Sequence, residues 1–537
     1  MKKIFATLAA FIAVVMLLSC VPSFTAQADN PANVEYNAHD VEMFRAFLEK
    51  ADPAGVKNGK KINELYNPDD PATWTGANDG LSYNIGVNWD TNGRAVIFYA
   101  TGSAELFGAF DVVGCDALTM INIYSSSISS ANLTGCISLE FLAIYIGKIQ
   151  LTELELSTNS ALTNLYLNGN AITELDLSGN PHLKFLLLEY NKLKNLDISN
   201  NMELELIMCE GNEISKIDLT GHDKLIELHC NNNKLTDLKI EECPKLCNLQ
   251  YNYNNIKHLD FSHNPELYAI GCAGNGVTEL NVNSLSELWM LECQENALTS
   301  LDLRGTSIQD LYCNDNMLAE IIVPDDSNVQ FLYCQNNKLT SIDLENMKNM
   351  YYFDGSNNLL SEFIFTIKKD FADFLYFICL DNPMKHVTIN NVNGCFELFA
   401  DENGSIGASL KYDETLEINY YAAIGTPNEG ASFLGWYDAN GVLVSSEAEY
   451  KIGFNDKIIL YAKFIEKETP TPRPTDAETP TPTPVVTTKP DSTPTGSPIP
   501  SSTPGPNPPL AGGISFIALG IIAIIGGSAV SLLRKRK

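Results

Sequence analysis

"LYCQNNKLTSIDL", residues 332–344, puts a cysteine where its surroundings favour leucine. The stretch is one copy of a pattern that fills the middle of the chain. Copies begin at Leu162, Leu183, Leu204, Leu225, Leu246, Leu267, Leu288, Ile308, Val329 and Met350. They lie 21 residues apart, with a single 20 between Leu288 and Ile308. Eight residues after each start stands an asparagine: Asn170, Asn191, Asn212, Asn233, Asn254, Asn275, Asn296, Asn316, Asn337 and Asn358. A further copy starts at Phe374 and puts Asn382 in the same place, while looser copies at Leu118 and Leu139 lose the asparagine. A fixed period of this length marks a chain of stacked units, each burying its apolar side against its neighbours.

The consensus L-x-x-L-x-L/C-x-x-N-x-L-x-x-L-D-L-x-x-N-x-x resembles the short, 21-residue bacterial class of leucine-rich repeats over roughly residues 110–390. The resemblance implies one short parallel strand per turn, with the asparagines satisfying backbone groups in the bend. So short a turn leaves little room for a return helix. The second motif, as in "LTSLDLR" (298–304), alternates like another short strand. The expected fold is mainly β: a leucine-rich repeat solenoid of about 13 turns with parallel strands and few helices. An N-terminal cap and a small C-terminal β-module complete it.

Position six of the repeat holds Leu167, Leu188, Cys209, Cys230, Tyr251, Cys272, Cys293, Cys313, Cys334 and Gly355, with Cys379 in the last turn. Leucine and cysteine exchange there because free cysteine packs as a small hydrophobe. Neighbouring turns bring the Cα atoms to roughly 4.8 Å, but the parallel Cβ vectors suit a disulfide poorly. A second inward column, three residues before each start, reads Cys115, Cys136, Asn180, Asn201, His222, Cys243, Asn264 and Leu285. A bridge between Cys115 and Cys136 stays open. Cys243 and Cys247 with His222 and His229 match no well-defined zinc spacing, so no metal is expected.

A strand that buries positions four and six turns positions three, five and seven to the open concave side. Two patches stand out there. Phe185, Leu187, Leu206 and Met208 form an apolar one; Tyr312, Phe331, Tyr333 and Tyr352, flanked by Asp310 and Asp354, form an aromatic and acidic one. The candidate ligand-binding residues are therefore Tyr312, Tyr333, Tyr352, Phe331, Asp310, Asp354, Phe185 and Met208, because exposed aromatics concentrate at binding hot spots. A row of acids at position fifteen (Asp176, Asp197, Asp218, Asp260, Asp302 and Asp343) offers one carboxylate per turn, too few for the cage calcium prefers.

No catalytic constellation is present: the chain has no G-x-S-x-G, no H-E-x-x-H and no phosphate loop. Neither enzyme activity nor a cofactor is expected.

Both ends look like addresses. Lys2 and Lys3 precede an apolar run, and Ala26-Gln27-Ala28 offers a cleavage site, so residues 1–28 read as a signal peptide. Residues 514–533 are uncharged and long enough to span a bilayer, and the basic tail 534–537 would stay inside. Residues 468–513, rich in Pro and Thr, read as an extended stalk. The outward part carries 29 basic against 66 acidic residues, a formal charge of -37 that repels nucleic acid. Residues 29–110 read as a cap, with Asp40 capping a helix whose Met43, Phe44, Phe47 and Leu48 share a face. Residues 111–390 are the repeats.

Residues 391–467 read as a small β-domain, with an Asn440-Gly441 hairpin turn and "IILYAKF" (458–464) as its last strand. Phe433, Gly435, Trp436, Tyr437, Tyr450 and Leu460 to Phe464 resemble the B-repeat-like modules of internalin-type surface proteins. The whole order resembles surface-anchored proteins of Gram-positive bacteria, although Pro508-Pro509-Leu510-Ala511-Gly512 departs from their Leu-Pro-x-Thr-Gly sorting signal. That resemblance implies a bacterial cell-surface adhesin, membrane-anchored or processed to the wall, that binds an extracellular protein. The alternatives are a carbohydrate binder for a cell-surface or dietary glycan, and a structural envelope spacer.

Overall fold

The repeat asparagines join each turn to the next. In the computed structural model, Asn191 Nδ2 donates to Leu167 O of the preceding turn (2.9 Å) and to Leu188 O of its own (3.0 Å). Its Oδ1 accepts from Ile172 N (3.1 Å). The same three bonds recur at Asn170, Asn212, Asn233, Asn254, Asn275, Asn296, Asn316, Asn337 and Asn358. Asn382 keeps the links to the preceding turn through Gly355 O and Leu360 N. The residue before each of these has positive φ whether or not it is glycine: 76° at Gly169, 55° at Tyr190, 53° at Asp381. The bonds on the next residue hold that strained bend in place.

The structure describes residues 35–467, apart from 79–83, 101–104, 125–126, 146–149, 326, 345–346, 348–349, 367–375, 391–394, 414–417 and 454–455. The expected leader, stalk, apolar segment 514–533 and basic tail lie outside the described residues, as does Phe374. Among the described residues no helix is long and apolar enough to cross a membrane.

The protein is mainly β, a leucine-rich repeat solenoid of about 13 turns. Strands from Met120–Tyr124 to Tyr376–Cys379 run parallel in one 19-stranded sheet, in register at every turn, as in Leu206↔Glu227↔Asn248↔Ala269. The second motif departs from expectation. Among the described residues it pairs as strands only at Phe107–Asp111 with Ser127–Asn132, at Ser300–Asp302 with Glu320–Ile322, and at Glu362–Thr366 with His386–Asn390, with an isolated bridge at Leu196↔Ile217. In the other turns the return side is extended but unladdered. The ladder is continuous on the long sheet and interrupted opposite, which fits the expected arc with the sheet on its inner, concave side.

Cys209, Cys230, Cys272, Cys293, Cys313, Cys334 and Cys379 are all fully buried and free, so the opening cysteine is core. Burial pushes the Cys272 thiol up to about 12. Cys115 and Cys136 are free as well, and Cys136 Sγ donates to Val112 O (3.1 Å). The second inward column is buried as expected, and Asn159 belongs to it: its Nδ2 donates to Leu133 O and Cys136 O, both at 3.0 Å.

The cap differs in one detail. The helix is Ala38–Leu48 and its N-cap is Asn37, whose side chain accepts from His39 N and Asp40 N (3.1 Å each). Asp40 instead sits inside the first turn, fully buried, accepting from Arg94 Nε (2.8 Å) and Ala95 N (3.1 Å). A carboxylate so deep needs its paired cation, which outweighs a capping role. Phe44, Phe47, Trp74 and Trp89 close the end of the core. At the other end, Cys379 pairs with Ala408 and the concave sheet runs on into antiparallel strands. The return side runs on through His386–Asn390, Cys395–Ala400 and Lys457–Glu466, which holds "IILYAKF". The expected hairpin joins Ala431–Tyr437 to Leu443–Ser445; Asp438 Oδ1 accepts from Val442 N (2.8 Å) and Gly441 takes φ 78°.

Replacing Asn254 by alanine removes bonds to Cys230 O, Tyr251 O and Leu235 N and strands buried backbone groups. The expected loss is at least ~3 kcal/mol by denaturant unfolding. In the native state the position-six thiols should resist alkylation and react only on unfolding.

Candidate functional site

Each three-residue strand of the long sheet buries its middle residue, and in the C-terminal turns both flanking residues stay half-buried on the concave face. Leu311, Leu332 and Phe353 are core, while Asp310, Tyr312, Phe331, Tyr333, Tyr352 and Asp354 are half-buried on that face. Register sets Tyr312 directly beside Tyr333, and their rings stack at 4.8 Å and 13°. Tyr333 stacks again on Tyr352, one turn on and diagonal, at 4.4 Å and 22°. Phe331 stacks at 6.1 Å on Tyr351, a neighbour that the alternation of the strand does not place on this face. The six C-terminal candidates thus form one ridge. Burial beside it pushes the Asp310 carboxyl up to about 6.

The N-terminal patch is less open than strict alternation implies. Phe185 is 8 % exposed and Leu206 6 % exposed, while Leu187 and Met208 remain half-buried. On a concave sheet, side chains of adjacent turns converge and the shorter or flatter ones are covered. Nothing brings Phe185 or Met208 to the tyrosine ridge.

Between the patches lies a polar cluster that sequence reasoning passed over. His229 Nε2 stands 3.3 Å from Glu227 Oε2 and 3.2 Å from Asn248 Nδ2. Glu189 and Glu210, at position seven of adjacent turns, approach from one side. Glu292 approaches from the other, accepting from Asn252 Nδ2 (2.9 Å) across an intervening turn. That turn carries Gly271, where a Cβ would fall 2.0 Å from Gln250 Oε1 and 2.6 Å from Asn252 Nδ2. Burial pushes Glu189 up to about 8 and raises Glu210 and Glu292. On His229, burial pulls the pKa down, but Glu227, Glu210 and Glu189 together raise it. The signal was available in the columns at positions three, five and seven, where four glutamates surround one histidine.

The acidic row has a structural role. Asp176, Asp197, Asp218, Asp260 and Asp302 each accept from the backbone N–H two residues on, closing the return turn. The Thr220 hydroxyl and the Arg304 guanidinium, together with those backbone bonds, hold Asp218 and Asp302 down to about 2. Among the described residues no three His, Cys, Asp or Glu side chains converge on a metal site. His222 and Cys243 are fully buried column residues.

No family model and no curated protein matches the chain. Several solved structures are similar in fold. The functional domain of InlJ from Listeria monocytogenes, which includes a cysteine ladder, matches at 18% identity and TM-score 0.42, over 70% of this chain and 91% of that one. The internalin InlF from Listeria monocytogenes matches at 18% identity and TM-score 0.44, over 60% and 89%. The effector YopM from Yersinia pestis matches at 20% identity and TM-score 0.38, over 46% and 68%.

Stability should fall on both sides of mildly acidic pH. Asp218 and Asp302 titrate lower folded than unfolded, so their contribution is present above about pH 4 and is lost as pH falls towards 2. Glu189 titrates higher folded than unfolded, so its contribution is full below about pH 4 and is lost as pH rises through 8. Thermal melts from pH 3 to 9 should show both arms, and Glu189→Gln should flatten only the alkaline one.

Proposed function

We propose that the chain is a cell-surface leucine-rich repeat binding protein, an adhesin that engages an extracellular protein with its concave face. Tyr312, Tyr333, Tyr352 and Phe331 would anchor the partner, with Asp310 and Asp354 at the rim. The stacked ridge is the observation that carries this reading. It offers rigid aromatic area in one place, as protein-binding hot spots do.

The same geometry disfavours the glycan alternative. A sugar ring packs on the face of an aromatic ring, and both faces of Tyr333 are taken by Tyr312 and Tyr352. A ridge of ring edges suits a shaped protein surface better. Among the described residues no arrangement of nucleophiles, acids or bases supports catalysis. The leader, stalk and apolar segment seen in the sequence support secretion and anchoring at a bacterial surface, and the acidic charge supports a partner other than nucleic acid.

The test applies labelled residues 29–467 to candidate partner cells before and after surface proteolysis. Binding should be abolished by protease and unchanged by glycosidase, and the reverse would transfer the site to a glycan. Tyr333→Ala should weaken binding at least ~10-fold, as loss of a hot-spot aromatic does. Unchanged binding with the fold intact would remove the ridge from the interface.

A further inference from the structure

We propose that the polar cluster at the centre of the concave face is a receptor for one organic cation, the guanidinium of an arginine side chain on the protein partner. This rests on the protein-binding reading above and gives that partner a second, chemically distinct anchor.

The cluster is built but incomplete. Glu189, Glu210, Glu227 and Glu292 face a single histidine, so the site stays net negative even with His229 protonated. Elsewhere acids find cations: Lys234 Nζ lies 2.7 Å from Glu213 and Lys184 Nζ 3.8 Å from Glu205. Among the described residues no lysine or arginine pairs with Glu189, Glu210 or Glu292. Glu189 Oε2 and Glu210 Oε2 have essentially no accessible surface and no hydrogen-bond partner. Burying an acceptor without a partner is costly, and more so when it is charged. Both side chains keep part of their surface on the face, so a ligand that donates to each carboxylate there would offset that cost.

The chemistry of that ligand follows from the spacing. The acids do not converge on one point closely enough to hold a metal ion. Two carboxylates on adjacent turns stand about one strand spacing apart, roughly 4.8 Å, which a planar, forked donor can bridge. Charge-assisted bonds of this type are the strong ones. Three turns on from Glu210 the face is low: Ala269, Gly271 and Ala273 carry small side chains, and Gln250 and Asn252 lean across Gly271. Burial keeps Glu189 largely protonated near neutrality, so an arriving cation displaces its proton. The groups facing that exchange are Glu210 and His229, with its partner Glu227, on the sheet, and the Tyr190 hydroxyl at its rim.

The test is calorimetric titration of the full chain with N-acetylarginine methylamide, against the neutral isostere N-acetylcitrulline methylamide and against butylammonium. The arginine probe should bind with Kd on the order of 1 mM, at least ~10-fold tighter than either comparison. It should release protons, bind more tightly at pH 8.5 than at pH 6, and lose at least ~10-fold in Glu189→Gln/Glu210→Gln. Asp176→Asn/Asp197→Asn, which removes the same charge from the edge, should leave it unchanged. Equal binding of citrulline, equal loss in the edge variant, or no binding to the folded chain would overturn the proposal. Tighter binding of butylammonium would replace arginine by lysine and overturn the guanidinium assignment. If the double variant fails to fold, Glu210→Gln alone supplies the comparison. Failure of the probe with cell binding intact removes this site alone; loss of cell binding with the probe intact removes the protein-adhesin reading alone.

Discussion

One side chain per turn determines this structure. The ladder asparagine ties two carbonyls and one N–H of successive turns together, so the spacing between turns is set at the bend as well as along the strands. A leucine there would pack but would leave three backbone groups unpaired. An aspartate would accept but could not donate. Asparagine is the short side chain that does both, and the left-handed residue before it aims it inward. Given that joint, the cysteines at position six need only be small and apolar.

Fixed spacing on the inner side of an arc has a consequence for the concave face. Side chains in each column stand about one strand apart and cannot separate. Flat rings answer by stacking, as in Tyr312, Tyr333 and Tyr352. Apolar chains answer by burying one another, as with Phe185 and Leu206. Carboxylates have no such answer: they are partly desolvated, which raises Glu189, Glu210 and Glu292, and Glu210 adds to the rise at Glu189. The two distinctive regions of the face thus share one cause.

What was legible in the sequence is what a 21-residue period encodes. Turn number, the asparagine column, the buried cysteines and the tyrosine ridge all follow from register, because each depends only on which residues occupy equal positions. What was not legible depends on curvature and on distant partners. Strand pairing of the second motif depends on how far the turns splay opposite the sheet, which no single turn reveals. Asp40 looks like an N-cap from its neighbours, yet Arg94, 54 residues away, takes its carboxylate and Asn37 does the capping. Exposure of Phe185 required knowing how closely the turns converge. The His229 cluster was visible column by column, but its meaning lay in the absence of a cation, which is a property of the assembled face.

On the proposed reading, the tyrosine ridge and the His229 cluster make different demands on a partner, and their separation limits what that partner can be. His229 and Tyr312 occupy the same repeat position four turns apart, through Gln250, Gly271 and Glu292. At one strand spacing per turn this is on the order of 19 Å. An extended segment of about six residues covers that span, as does one face of a small domain. Aromatic area supplies affinity with little directional preference, whereas a desolvated acidic pocket penalises any surface that cannot furnish a positive charge at one point. A partner holding both features at that distance is selected twice, and one holding the apolar feature alone must leave the buried carboxylates unpaired beneath it. Discrimination on such a face comes from the pocket more than from the ridge.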